Sequence, residues 1–148
     1  MRIVLLLGLI AAAAWGQEVF GSWKMNQARS TFNFDPHPRE IIWRIERHAK
    51  GEVLTFDHVR ASGEAVTTSM ILYLDGKQWD FEGEGCSGSQ SSQRLDDQTV
   101  EIRLTCRNGR SVRVVRRALP GVRRLNVEIS EQLPDARRLE WRLVLEKQ

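Results

Sequence analysis

Apolar side chains recur at every second position in short runs from Glu40 to the end of the chain, and between the runs stand residue pairs that turn a backbone. Val100, Ile102 and Leu104 share one side, with Glu101, Arg103 and Thr105 opposite. Leu125, Val127 and Ile129 repeat the pattern, as do Leu139, Trp141, Leu143 and Leu145. A period of two places such residues on one face of a strand. The separators are Lys50-Gly51, Asp75-Gly76, Asp96-Asp97, Asn108-Gly109, Pro120-Gly121 and Pro134-Asp135, all residue types suited to tight turns. No stretch of a dozen residues carries a 3.6-residue apolar spacing, so the longest helix expected is a single turn between Met25 and Ser30. The pattern predicts an all-β fold, an antiparallel up-and-down meander of 8 to 10 strands. A meander with one apolar face buries it by closing into a barrel, which also removes exposed edges; a two-sheet sandwich is the rival solution.

The first 16 residues read as an export signal, with Arg2 before an unbroken apolar run from Ile3 to Ala14 and small residues after it. Ala14 and Gly16 suit a cleavage site that leaves Gln17 as the new N-terminus; an uncleaved anchor is the alternative. The remaining residues, 17–148, suffice for one domain with one core, without a transmembrane segment, placed in the periplasm or outside the cell. In that oxidising setting the two cysteines, Cys86 and Cys106, are expected to pair. Folding the chain back about Asp96-Asp97 brings them together, and closing such a loop stabilises by about 3 kcal/mol.

Charge is divided unevenly. Gln17 to Val100 holds 9 Lys and Arg against 13 Asp and Glu, whereas Glu101 to Gln148 holds 12 against 6. The cations of the second half are nearly all Arg and alternate with apolar residues, which describes a solvated sheet face paired with acidic neighbours, or a docking face for an anionic partner. Specific nucleic-acid binding needs exposed aromatics among the cations, whereas Trp141 falls on the apolar side.

No catalytic residue, metal ligand set or cofactor is indicated. His48 and His58 stand on two arms of one expected hairpin, where a Lys50-Gly51 turn sets His48 against Val53, His58 against Trp43, and Asp57 against Arg44. The imidazoles are then too far apart along the ladder to share a metal, and His37 lies in a Pro-flanked loop. "GCSGS" at Gly85–Ser89 ends in Ser where a nucleophile elbow has Gly, and it lacks the strand-to-helix setting.

Gly21-Ser22-Trp23 resembles the G-x-W with which lipocalins enter their first strand, where the Trp closes one end of the barrel under a late Arg. The resemblance implies a barrel-closing role for Gly21 and Trp23, and Arg137, Arg138 and Arg142 are the candidates for the covering cation. The string Gly21, Ser22, Trp23, Lys24, Met25, Asn26, Ala28, Arg29, Ser30, Phe32 is similar to the start of a group of small exported bacterial proteins, and the likeness continues through Tyr73–Lys77 to Glu146-Lys147-Gln148. It implies a lipocalin-like barrel and brings no catalytic residue with it.

The interior is expected to contain Trp43, Leu54, Phe56, Met70, Trp79 and Trp141. An apolar lining of this kind describes a packed core and equally a pocket for a small hydrophobic ligand. Two functions follow. One is a carrier of an apolar or amphipathic molecule, with Trp43, Phe56, Met70, Trp79 and Trp141 as ligand-binding residues. The other is a solid-cored interaction module that docks through its Arg-rich C-terminal strands.

Overall fold

Each run of alternating residues forms a strand, and the turn pairs fall between strands except Lys50-Gly51, whose Gly51 is already part of one. The computed structural model describes residues 19–83, 85–121 and 123–148, so residues 1–16, read as the export signal, lie outside the described residues. The strands are β1 (Gly21–Met25), β2 (Thr31–Phe32), β3 (Glu40–His48), β4 (Gly51–Val59), β5 (Ala65–Leu72) and β6 (Trp79–Gly83). They continue with β7 (Cys86–Arg94), β8 (Thr99–Cys106), β9 (Ser111–Leu119), β10 (Arg124–Gln132) and β11 (Arg138–Lys147). One antiparallel sheet runs in the order β5-β4-β3-β1-β11-β10-β9-β8-β7-β6, with β2 added on β11. The sheet rolls into a nearly closed barrel whose first and last strands meet at the β1–β11 ladder, where Trp23 stands opposite Lys147 and Met25 opposite Leu145.

Because β1 is half the length of β11, the chain fills the remainder of that edge with the segment after it. Asn26 caps a 3-10 turn over Gln27–Arg29, its side-chain oxygen accepting from the Arg29 N–H. Ser30 donates to the Asn26 carbonyl at 2.8 Å and accepts from the Val144 N–H at 3.0 Å. Phe32 then pairs with Trp141, and the Asn33 side chain accepts from the Glu140 N–H at 2.8 Å. The single helical turn expected between Met25 and Ser30 is this one.

Two expected turns take another form. The hairpin of β3 and β4 turns at Ala49-Lys50, two residues earlier in register sum than expected, so His48 faces Gly51 and His58 faces Ile41. Arg44 and Asp57 are no longer direct partners, yet their side chains meet diagonally at 2.8 Å. Asp75-Gly76 does not join β5 to β6 as a ladder. Leu74 adopts a positive φ of 57°, and the loop crosses to β7: the Leu74 N–H donates to Ser92 Oγ and the Gly76 N–H to the Ser92 carbonyl, both at 2.9 Å. These bonds hold the loop away from the tight turn and leave β5 and β6 as the two ends of the sheet path.

The apolar faces point inward and pack one core. Ile45, Leu72, Val100, Leu125, Val127 and Leu145 are each at most 1 % exposed and fill the half of the barrel that contains Trp23. Cys86 and Cys106 are disulfide-bonded, as their placement predicts. Gly88 makes the approach of β7 to β8 close: a Cβ there would stand 1.9 Å from the Thr105 carbonyl oxygen.

Candidate functional site

The two ends of the barrel differ. At the end holding the β9–β10 turn and the close of β11, Trp23 is 2 % exposed and its indole N–H donates to the Val19 carbonyl at 2.8 Å. The cation over its ring is Lys147, with Nζ 5.4 Å from the centroid. The expected Arg residues are elsewhere for a geometric reason. Trp23 sits opposite Lys147 in the ladder, while Arg142 pairs with Thr31, Arg138 begins β11 at the far end and Arg137 precedes it. Just inside this closed end lies a buried ion pair, Glu52 and Arg116, both 2 % exposed and 3.0 Å apart. Burial pushes the Arg116 pKa down, and the facing carboxylate partly restores it.

The other half is hollow. A cavity of about 350 Å³ lies between the walls formed by β3, β4 and β5 and by β8 to β11. Trp43, Leu54, Ile102 and Val114 line its deeper part, with Phe56 and Met70 on one wall and Trp141 on another. The Trp43 and Phe56 rings meet edge to face at 6.0 Å. The strap after β1 adds aromatic area beside the mouth, where Phe32 and Phe34 lie 5.8 and 5.4 Å from Trp141 and His37 stacks on Phe32 at 4.6 Å. Interior expectations of a filled core and of a hollow barrel therefore each describe one half of the molecule.

Of the five residues expected to line a pocket, Trp43, Phe56, Met70 and Trp141 do so, and Trp79 does not. Trp79 is 38 % exposed and stacks on Tyr73 at 3.9 Å, its indole N–H donating to Asp75. The open loop at Asp75-Gly76 is the cause: a tight two-residue turn would have set Trp79 opposite Leu72 on β5, and the loop instead releases it to the surface. Sequence reasoning also missed the polar lining. His58, Arg60, Arg110 and Glu131 stand on the cavity wall, and Arg110 holds Glu131 at 2.6 Å. The signal was present in β4, where the inward positions read Leu54, Phe56, His58 and onward to Arg60 with the same period of two.

Trp43 and Trp141 carry buried indole N–H groups that no acceptor meets among the described residues. The disulfide adds Cys86 to the rim of the same cavity. On the outside, much of the basic face is matched within the sheet. Glu101 accepts from Arg103 at 2.9 Å and pairs with Arg113 at 2.7 Å, Arg137 meets Asp135 at 2.7 Å, and Arg138 meets Glu140 at 3.4 Å.

Comparison with solved structures finds the same fold in other barrels, among them the following. The Schistosoma mansoni fatty acid binding protein in complex with arachidonic acid is 8 % identical, with a TM-score of 0.61 over 88 % of this chain and 96 % of that chain. The fold is a lipocalin-like barrel. Zebrafish ileal bile acid-binding protein complexed with cholic acid is 12 % identical, with a TM-score of 0.53 over 88 % and 99 % of the two chains. A secretory abundant heat soluble protein from Ramazzottius varieornatus is 7 % identical, with a TM-score of 0.60 over 88 % and 96 %. At these identities the likeness concerns the lipocalin-like fold alone. No protein-family model matches the sequence, and neither does any curated protein.

Proposed function

We propose that this protein is exported and holds a small apolar or amphipathic molecule in the hollow half of its lipocalin-like barrel. The observation that carries the reading is the cavity itself, about 350 Å³ with an apolar wall and a few polar groups near its mouth. That is the size and chemistry of small-molecule sites in general. The two indole N–H groups of the wall support it, because a buried donor without an acceptor costs about 1 to 3 kcal/mol and a ligand oxygen relieves that cost. The leader over residues 1–16 and the Cys86–Cys106 bridge support a location in the periplasm or outside the cell. Structures of the same fold bound to arachidonic acid and cholic acid support a ligand of that general kind. Docking through the Arg-rich exterior draws less support, since Arg103, Arg113, Arg137 and Arg138 of that face already meet carboxylates of the same chain.

Calorimetric titration of the mature protein with saturated fatty acids of increasing chain length tests the reading. Saturable binding with a micromolar dissociation constant is expected, and Met70→Trp, which fills the cavity, should weaken it about tenfold or more while the protein still folds. Absence of binding across the series, or equal binding by wild type and Met70→Trp, would overturn it.

A further inference from the structure

Four of the five tryptophans stand among the described residues, and they divide into two kinds. The Trp23 indole N–H donates to the Val19 carbonyl at 2.8 Å, and that of Trp79 donates to the Asp75 carboxylate at 3.2 Å. Trp43 and Trp141 line the hollow half, and the N–H of each is buried and meets no acceptor. Tryptophan N–H groups usually find a partner when buried, so the division follows the cavity wall. The two rings flank one seam: Trp43 on β3 lies beside β1, and Trp141 on β11 lies on its other side, opposite Phe32 of β2. Neighbouring rings do not replace an acceptor. Phe56 meets Trp43 edge to face, Phe32 and Phe34 tilt against Trp141, and an N–H gains only a second-order contact from an aromatic face. Both donors are covered by protein atoms and both rings border open space, so a small turn of either ring presents its N–H to the cavity.

Resting on the carrier reading above, we infer that the ligand bears a carbonyl oxygen within its apolar body, as a ketone or ester does, and that this oxygen accepts from the Trp43 indole N–H. Trp141, beside the strap at the mouth, donates to an oxygen at the end of the ligand left outermost. The chemistry of the wall selects the group. A hydrocarbon body fills the space and leaves the Trp43 donor unmet. A hydroxyl brings a donor of its own, and Leu54, Ile102 and Val114, which line the same depth, offer no side chain that accepts it. A charged oxygen would be buried among those residues without a counter-ion. A carbonyl only accepts, and it carries no charge.

Titration of the mature protein with hexadecanoate, with its oxo isomers carrying the carbonyl at successive chain positions, and with the matching hydroxy acids tests the group. The carboxylate is common to all of them and cancels in the comparison. The oxo series should show one preferred position, bound about tenfold tighter than the least favoured isomer, and the hydroxy acid of that position should bind more weakly than the ketone. Trp43→Phe keeps an aromatic ring and removes the N–H, so the preference should vanish in it. Trp141→Phe should instead weaken every acid by a similar factor. On the wild-type protein, independently of how the variants fold, the Trp43 indole N–H resonance should move downfield when the preferred isomer binds and stay near its place with hexadecanoate. Equal binding of all oxo isomers, an unmoved Trp43 resonance, or a preference that survives Trp43→Phe or disappears in Trp141→Phe would overturn the carbonyl at Trp43 while hexadecanoate binding upholds the carrier reading. Failure of every compound to bind would overturn both.

Discussion

Trp23 is fixed from three directions, by the Val19 carbonyl on its N–H, by Lys147 over its ring, and by Trp43 as its neighbour across the ladder. Trp23→Ala should therefore cost about 3 to 5 kcal/mol of unfolding free energy, read as a shift in the denaturant midpoint. An unchanged midpoint would show that the closed end does not depend on it. Glu101 makes a pH-dependent contribution. Burial raises its pKa, but N–H donors from Arg103, Arg113 and Gln93 outweigh burial and hold the carboxyl below its ordinary 4.5. A depressed folded-state pKa stabilises above the unfolded value and loses that stabilisation as pH falls through the folded one. Glu101→Gln should then be less stable than wild type at pH 7 by about 1 to 3 kcal/mol, and the difference should shrink in thermal melts at about pH 3. At this scale the sequence disclosed roles better than partners. A Trp after Gly21 announced a buried plug, but whether Lys147 or an Arg covers it depends on ladder register, which alternation alone does not fix.

Among the strands, β6 is the most weakly placed. It closes one end of the sheet path, is five residues long and is laddered to β7. The Cys86–Cys106 bridge ties the start of β7 to the end of β8 and so braces β6 indirectly. Replacing both cysteines by Ser should cost about 3 kcal/mol, and amide exchange should accelerate in β6 far more than in β10, which has full ladders on both sides. Comparable acceleration in both strands would show that the bridge stabilises the barrel as a whole. Strand positions in β8, β10 and β11 were legible because one strict apolar face admits one reading. The β3–β4 turn was not: Lys50-Gly51 looks like the turn pair, yet Gly51 begins β4, where a Cβ would stand 2.0 Å from the Leu72 carbonyl oxygen. The same glycine signal marks a turn or a close approach, and composition does not separate the two.

For the whole molecule, alternation established which side chains face inward and left open how much space they enclose. The structure divides the interior into a filled half under Trp23 and a hollow half above Trp43, a division set by side-chain volumes across several strands at once. If the hollow half binds a ligand, hexadecanoate at one hundred times its dissociation constant should add about 2.7 kcal/mol of stability, measured as a rise in melting temperature. The order of the strands carries a consequence for assembly. Trp23 and Lys147 are partners at opposite ends of the described chain, and their ladder joins the half of the sheet made by β1, β3, β4 and β5 to the half made by β6 through β11. Within each half every pairing is between strands near in sequence, but the seam between them requires a loop closure over almost the entire described sequence. A chain that leaves a ribosome or a translocation pore N-terminus first thus keeps its first strand unmatched on one edge until β11 has emerged. The barrel is an object that its own last strand locks.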